Sequence, residues 1–135
     1  MDLVQLHGHV LGFIIIGSWA AICFWSLALR LLGYSETPTF WRVVSVAQLL
    51  LVAQFLLGMA LLTRSALGAG RLPGDESAFD VSFHLLYGAG FPLVVLFVGH
   101  KWAREGRYAP HTVFAVVGLV IFGLTARAWQ VGVPA

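Results

Sequence analysis

Charge is what this sequence most lacks. Lys, Arg, Asp and Glu supply only 10% of its 135 residues, where a soluble domain carries roughly 25%. Hydrophobic residues make up 59% and the mean hydropathy is +0.88, so the expected surroundings are lipid, and the length allows one domain, 1–135. The net charge of +2 comes with no dense basic cluster, which argues against a nucleic-acid partner and leaves the cations as topology markers. The single cysteine, Cys23, lies inside the first apolar run. It has no intramolecular disulfide partner and no Cys-x-x-Cys-His context for covalent haem, and is read as a small hydrophobe. Catalytic signatures are missing too: there is no Gly-x-Ser-x-Gly elbow, nucleotide loop or His-Glu-x-x-His motif. Nor does an acidic residue sit at mid-membrane to carry a proton or cation. The opening Met1-Asp2-Leu3-Val4-Gln5-Leu6-His7 has no basic stretch, and no small-residue cleavage pattern follows Ile16. The first segment is therefore expected to be a retained helix.

What is present is four long apolar runs, at about 6–32, 41–63, 81–102 and 111–131. Each has the roughly 20 residues that a helix needs to cross a bilayer. Gly33 and Pro38 break the first connection, Arg104-Glu105-Gly106-Arg107 forms the third, and Pro110 suits the first turn of a helix. Between them, Ser65 to Phe79 is the one substantial polar loop, with Gly68, Gly70, Pro73, Gly74, Asp75 and Glu76. Runs this long and continuously apolar do not suit a barrel. The expected fold is all-α, an integral membrane up-down-up-down four-helix bundle.

The first and third connections carry Arg30, Arg42, Lys101, Arg104 and Arg107, while Arg64, Arg71 and Arg127 share the other side with Asp2, Asp75, Glu76 and Asp80. The positive-inside rule puts both termini and the acidic loop on the outer side, with a bacterial inner membrane as the expected location.

Five histidines fall at helix ends, and topology sorts them into two layers. His7, His9 and His84 form the outer layer; His100 and His111 form the inner one. Ionisable groups at membrane depth are costly and point to function. In an up-down bundle the first and third helices face each other across the core, so His84 and either His7 or His9 are placed to supply two axial nitrogens to a b-type haem. His7 and His9, turned apart by about 100° per residue, do not both reach one iron. Glycines beside the ligands, Gly8 and Gly12 on the first helix and Gly88 and Gly90 on the third, would open a slot for the macrocycle. Arg127 and Arg64, near the outer ends of their helices, are candidates for pairing with its propionates. The plainer roles are interfacial histidines, helix-packing glycines and a snorkelling Arg127.

Two further cofactors enter as alternatives. A quinone pocket would draw on Gln48, His100, Tyr108 and His111. Copper or zinc would use His7, His9 and His84, with Asp80 one turn before His84; the plainer role for Asp80 is a cap or first-turn acid. Gln48 and Gln54 read first as hydrogen-bonding links between helices, worth on the order of 1 kcal/mol each. Pro92 is expected to loosen or kink the third helix and free a carbonyl.

The segments Leu6-His7-Gly8-His9-Val10-Leu11-Gly12 and Phe83-His84-Leu85-Leu86-Tyr87-Gly88, with small and amide residues in the second helix, give a layout that resembles small membrane b-type cytochromes. These are the cytochrome b561-like and copper-resistance D-like four-helix families. The resemblance implies haem binding and quinol-linked electron transfer. The second helix here has no histidine, unlike many cytochrome b561-like proteins, which argues against a two-haem path across the membrane. The expectation is one haem near the outer face, in a membrane haem protein or haem-binding subunit that joins partner subunits of a membrane complex or forms a homo-oligomer, an electron-transfer component rather than a stand-alone catalyst. The alternative is a cofactor-free accessory subunit of a larger membrane complex, and a copper-binding protein comes third.

Overall fold

The computed structural model describes residues 2–67 and 78–132, and the regular structure in them is entirely helical. Four helices are long and apolar enough to cross a membrane: α1 (Leu3–Leu32), α2 (Pro38–Ser65), α3 (Phe79–Glu105) and α4 (Pro110–Gly132). The sequence placed each to within a few residues. Most of the polar loop, residues 68–77, lies outside the described residues, and so do Arg71, Asp75 and Glu76, which entered the charge argument.

Local chemistry sets the helix ends. The carboxylate of Asp2 accepts the backbone N–H of Gln5 at 2.8 Å and starts α1. Gly33, with φ at +71°, ends it, and the N–H of Tyr34 bonds back to the carbonyl of Leu29 at 3.0 Å, a left-handed glycine stop. Thr37 caps α2 by accepting the N–H of Phe40, with Pro38 in the first turn. Gly106, also at +71°, ends α3.

The core is built from α1, α2 and α4. Ile15, Trp19 and Ile22 of α1 meet Phe40, Val44, Ala47 and Leu51 of α2 and Phe114, Val117 and Ile121 of α4. In α3 only Pro92, Ala89 and Gly99 are buried, so that helix lies at the margin. Trp25, Phe40, Trp41 and Phe114 pack edge to face, with ring centroids 5.3–6.5 Å apart. At one end of the α1–α4 contact Gly12 faces Trp129; at the other Arg30 donates to Thr112 at 2.7 Å. Large apolar side chains such as Leu31, Phe24 and Phe97 point outward, exposed by 69–75%. That surface is costly in water and suits lipid.

Two glycines let helices approach closely. A Cβ at Gly118 would sit 2.9 Å from the backbone nitrogen of Cys23 and 3.1 Å from the carbonyl oxygen of Trp19, and backbone cannot give way there. At Gly99 a Cβ would press on the Val117 side chain, at 2.5 Å from Cγ2. Small residues at interfaces substitute for the hydrophobic drive that is absent in lipid. The contact sets the backbone of Cys23 directly against Gly118.

Two helices widen locally into π-turns, α1 at Leu6–Leu11 and α3 at Leu86–Gly90. The second has a clear cause. Pro92 has no N–H to give the carbonyl of Gly88, and in the turn before it the N–H of Phe91 reaches back five residues to Leu86. The irregularity expected around Pro92 is thus taken up as a widened turn on its N-terminal side.

Replacing Gly118 with Ala is expected to destabilise the protein by about 1–3 kcal/mol through overpacking. Gly123→Ala, with nothing within 4 Å of its Cβ, is expected to be neutral or slightly stabilising. Thermal unfolding midpoints in detergent, read by the loss of the monodisperse peak after heating, check the pair.

Candidate functional site

Among the five histidines, two come together. His7, in the π-turn of α1, and His84, two residues before the π-turn of α3, point their Nε2 atoms at each other, 3.4 Å apart. The ring centroids are 5.7 Å apart and the planes meet at 62°. Both rings are half-buried. π-turns shift the register of side chains along a helix and often occur at functional sites; here one accompanies each ring.

His84 is fixed in detail. Its Nδ1 lies 2.9 Å from the carbonyl oxygen of Ala128 on α4. A carbonyl only accepts, so Nδ1 carries the hydrogen; in the neutral ring Nε2 then presents a lone pair, aimed at His7. Gly132, one turn beyond Ala128, admits the ring, because any Cβ there would overlap Nδ1 and Cε1 of His84. His7 is held from α2. Its carbonyl accepts the Gln54 amide at 2.8 Å, and its ring lies over Gly58, where a Cβ would come within 3.1 Å of Cε1.

Around the two rings runs a cavity bordered by all four helices, mostly apolar, with Gly8 and Gly12 from α1, Gly58 from α2, Gly88 from α3 and Gly132 from α4. Among the described residues, three buried polar atoms that border it have no hydrogen-bond partner: Nδ1 of His7, Oε1 of Gln54 and Nε1 of Trp129. Unpaired buried polar groups are rare and costly, and three at one cavity suit a polar or ligating guest. Trp19 Nε1 and Ser26 Oγ, also unpaired, do not border it.

The other expected site residues fall as follows. Gly12 and Gly88 border the cavity, and His9 borders it but is exposed. That settles which of His7 and His9 faces His84. Arg127 and Arg64 are exposed and border no part of it, and Arg127 donates to Gln130 at 3.3 Å. Among the described residues no group of three or more His, Cys, Asp or Glu side chains lies close enough to hold a metal ion. The set of His7, His9, His84 and Asp80 considered for copper is therefore not brought together; Asp80 falls in the first turn of α3. Gln54 had been read as a packing link, while Gly58, Ala128, Trp129 and Gly132 were not singled out. The spacing of Gln54 and Gly58, four apart and hence on one face of α2, is the signal that was available.

The other two histidines, His100 and His111, take separate partners. Nε2 of His100 accepts from the Gln48 amide at 2.5 Å, and its ring packs on Phe114. His111 gives both its backbone N–H and Nδ1–H to one oxygen of Glu36, at 2.5 and 2.7 Å. Tyr108 is exposed. The four residues considered for a quinone thus pair off or face outward. Glu36, in the α1–α2 connection, caps the first turn of α4. Burial pushes its carboxyl upward, but hydrogen bonds from its own backbone N–H and from the backbone and ring of His111 outweigh that, leaving it below its ordinary value.

No family model matches this chain, and no curated protein or solved structure matches it either.

A carboxyl lowered by folding contributes stability above its unfolded value, and that contribution is lost as pH falls. The thermal midpoint of the wild type is therefore expected to drop as pH falls through about 4.5, the ordinary value for Glu36, and below. Glu36→Gln should start lower at neutral pH and show a shallower acid drop. Midpoints measured from pH 7 to pH 3 in one detergent check this.

Proposed function

We propose that this protein is a membrane b-type haem protein, with one haem held between His7 and His84 and a role in quinol-linked electron transfer. The observation that carries the reading is the pair of imidazoles from two helices with facing Nε2 atoms. One of the two is locked in the tautomer that a metal ligand needs. A ligating histidine almost always gives its other N–H to a carbonyl or carboxylate, which is the bond His84 makes to Ala128.

The residues fit the group in other respects. The two Nε2 atoms are 3.4 Å apart, and with a metal–nitrogen bond of roughly 2.0 Å both would reach one ion after a small outward shift of the rings. Glycines from all four helices thin the walls of the cavity, whose lining is mostly apolar. Nε1 of Trp129, an unpaired donor, suits a carboxylate, and takes the role that sequence reasoning gave to Arg127 and Arg64. Those two arginines serve as helix-boundary residues. Haem, when bound, supplies one-electron redox chemistry. His84 and His7 would supply its nitrogen ligands through Nε2, each keeping its own hydrogen on Nδ1. Two imidazoles fall short of the three or four protein ligands usual for zinc, and offer copper only half a set, which ranks those metals lower.

In this reading the chain forms an up-down-up-down bundle with both ends and the haem on the outer side, and with Arg30, Arg42, Lys101, Arg104 and Arg107 inside. One haem layer does not bridge a hydrocarbon core about 30 Å thick. A redox role would therefore require a quinone, a second cofactor or a larger complex.

Replacement of either ligand is expected to abolish haem retention: His84→Ala and His7→Ala should be made and inserted but lack the Soret band. His9→Ala should keep it at the wild-type ratio of haem to protein. An unchanged Soret band in His84→Ala would contradict the assignment.

A further inference from the structure

The two facing rings are held in unequal ways. The Nδ1–H of His84 bonds to the carbonyl of buried Ala128 at 2.9 Å, on a helix whose other buried residues belong to the core. The ring already fills the space that a side chain at Gly132 would take. A shift away from α4 breaks the hydrogen bond, and a shift toward it meets backbone, so His84 has little freedom. The ring of His7 has no such anchor, because its Nδ1 is buried and without a partner. What is held is its backbone, whose carbonyl accepts the Gln54 amide at 2.8 Å. Across from the ring on α2 stands Gly58, with no side chain to confine it. Turning His7 about its side-chain bonds gives up only the contact to His84, which at 3.4 Å is long for a hydrogen bond.

The partner of the far nitrogen decides how firmly an imidazole ligates. A hydrogen bond from Nδ1–H raises the basicity of the ring, and losing such a partner commonly costs about 10–100-fold in metal affinity. By that measure His84 is the stronger ligand and His7 the weaker. The cavity around them is mostly apolar, and among the described residues no Lys, Arg, Asp or Glu borders it. An anion entering there would lose its hydration with no cation to replace it. A guest that competes with His7 is therefore small and neutral.

We propose that His84 is the permanent ligand and His7 the exchangeable one, so that the site accepts a small neutral diatomic ligand in place of His7. The proposal rests on the haem reading above and adds to it a response to a dissolved gas. The exchange breaks one bond from iron to Nε2 of His7 and forms one from iron to the incoming ligand. Each ligand brings its own electron pair, so no oxidant, reductant or proton is consumed. Held at its backbone by Gln54, His7 stays beside the position it has left and returns when the ligand departs.

The test uses full-length wild type, Gly132→Ala and Gly123→Ala, each purified in detergent, with haem content fixed first by pyridine haemochrome. Each is reduced with dithionite and titrated with carbon monoxide. Wild type is expected to take up one carbon monoxide per haem and to lose its sharp low-spin band. Gly123→Ala, with open space at its Cβ, should match it. In the diamagnetic adduct, nitrogen NMR should show His84 still bound to iron and His7 free. Gly132→Ala forces His84 off its carbonyl; it should bind added haem about 10–100-fold more weakly and give a mixture of adducts, some with His84 free. Azide should leave the spectrum of the ferric wild type unchanged. A ferrous wild type whose spectrum does not change under saturating carbon monoxide overturns the proposal, and so does an adduct with His84 free and His7 bound; both leave the haem reading intact. A ferric wild type that loses its low-spin spectrum to azide overturns the preference for a neutral ligand. A wild type that takes up no haem overturns the proposal and the haem reading together.

Discussion

The hydrogen bond from Nδ1 of His84 to the carbonyl of Ala128, 2.9 Å long, decides the chemistry of everything around it. It ties α3, the least enclosed helix, to α4 at the level of the cavity, and it fixes which nitrogen of His84 carries the hydrogen. From that one assignment follow the lone pair aimed at His7 and the tautomer of neutral His7 that can meet it. The bond exists because Gly132 leaves room for the ring, and because α4 lies close to both α1 and α3. Gly118 and Gly99 permit that closeness by letting backbone and side chains of neighbouring helices occupy the space of a missing Cβ.

The two helices that bring His7 and His84 together both depart from regular α geometry beside the site, and in each case the departure has a local partner. In α3 the proline at position 92 withholds an N–H and the turn before it widens. In α1 the widened turn spans His7, whose carbonyl takes up the Gln54 amide as well as the N–H of Gly12. Irregular backbone at membrane depth is tolerated only where other protein groups satisfy it or where it lines a cavity; these turns do both. The opposite end of the bundle is built on a different principle. There Glu36, His111, Gln48 and His100 satisfy one another in pairs, and an aromatic cluster around Phe40 and Phe114 fills the space.

Much of the fold was legible in the sequence because lipid imposes a blunt requirement: about 20 apolar residues per crossing, with glycine, proline and charge confined to the ends. Gly33, Pro38, Gly106 and Pro110 punctuate the chain where the helices stop and start. The pairing of His84 with the head of α1 was legible from topology. The choice of His7 over His9 was not, because a π-turn changes the angle per residue and voids the regular 100° projection. Trp129 and Gly132 were missed for a related reason: their roles depend on how α4 is rotated against His84, which periodicity in so uniformly apolar a helix does not encode. Arg127 and Arg64 were given a role at the cavity by their depth alone, and rotation about the helix axis turns both away from it.

The central claim is that the facing Nε2 atoms of His7 and His84 hold the iron of a single b-type haem. The most direct measurement is a reduced-minus-oxidised visible spectrum of the wild-type protein, purified in detergent after expression with ample haem, with a pyridine haemochrome assay for type and amount. The account predicts sharp b-type bands of a six-coordinate, low-spin centre at close to one haem per chain. A flat spectrum, or haem far below one per chain, would contradict it.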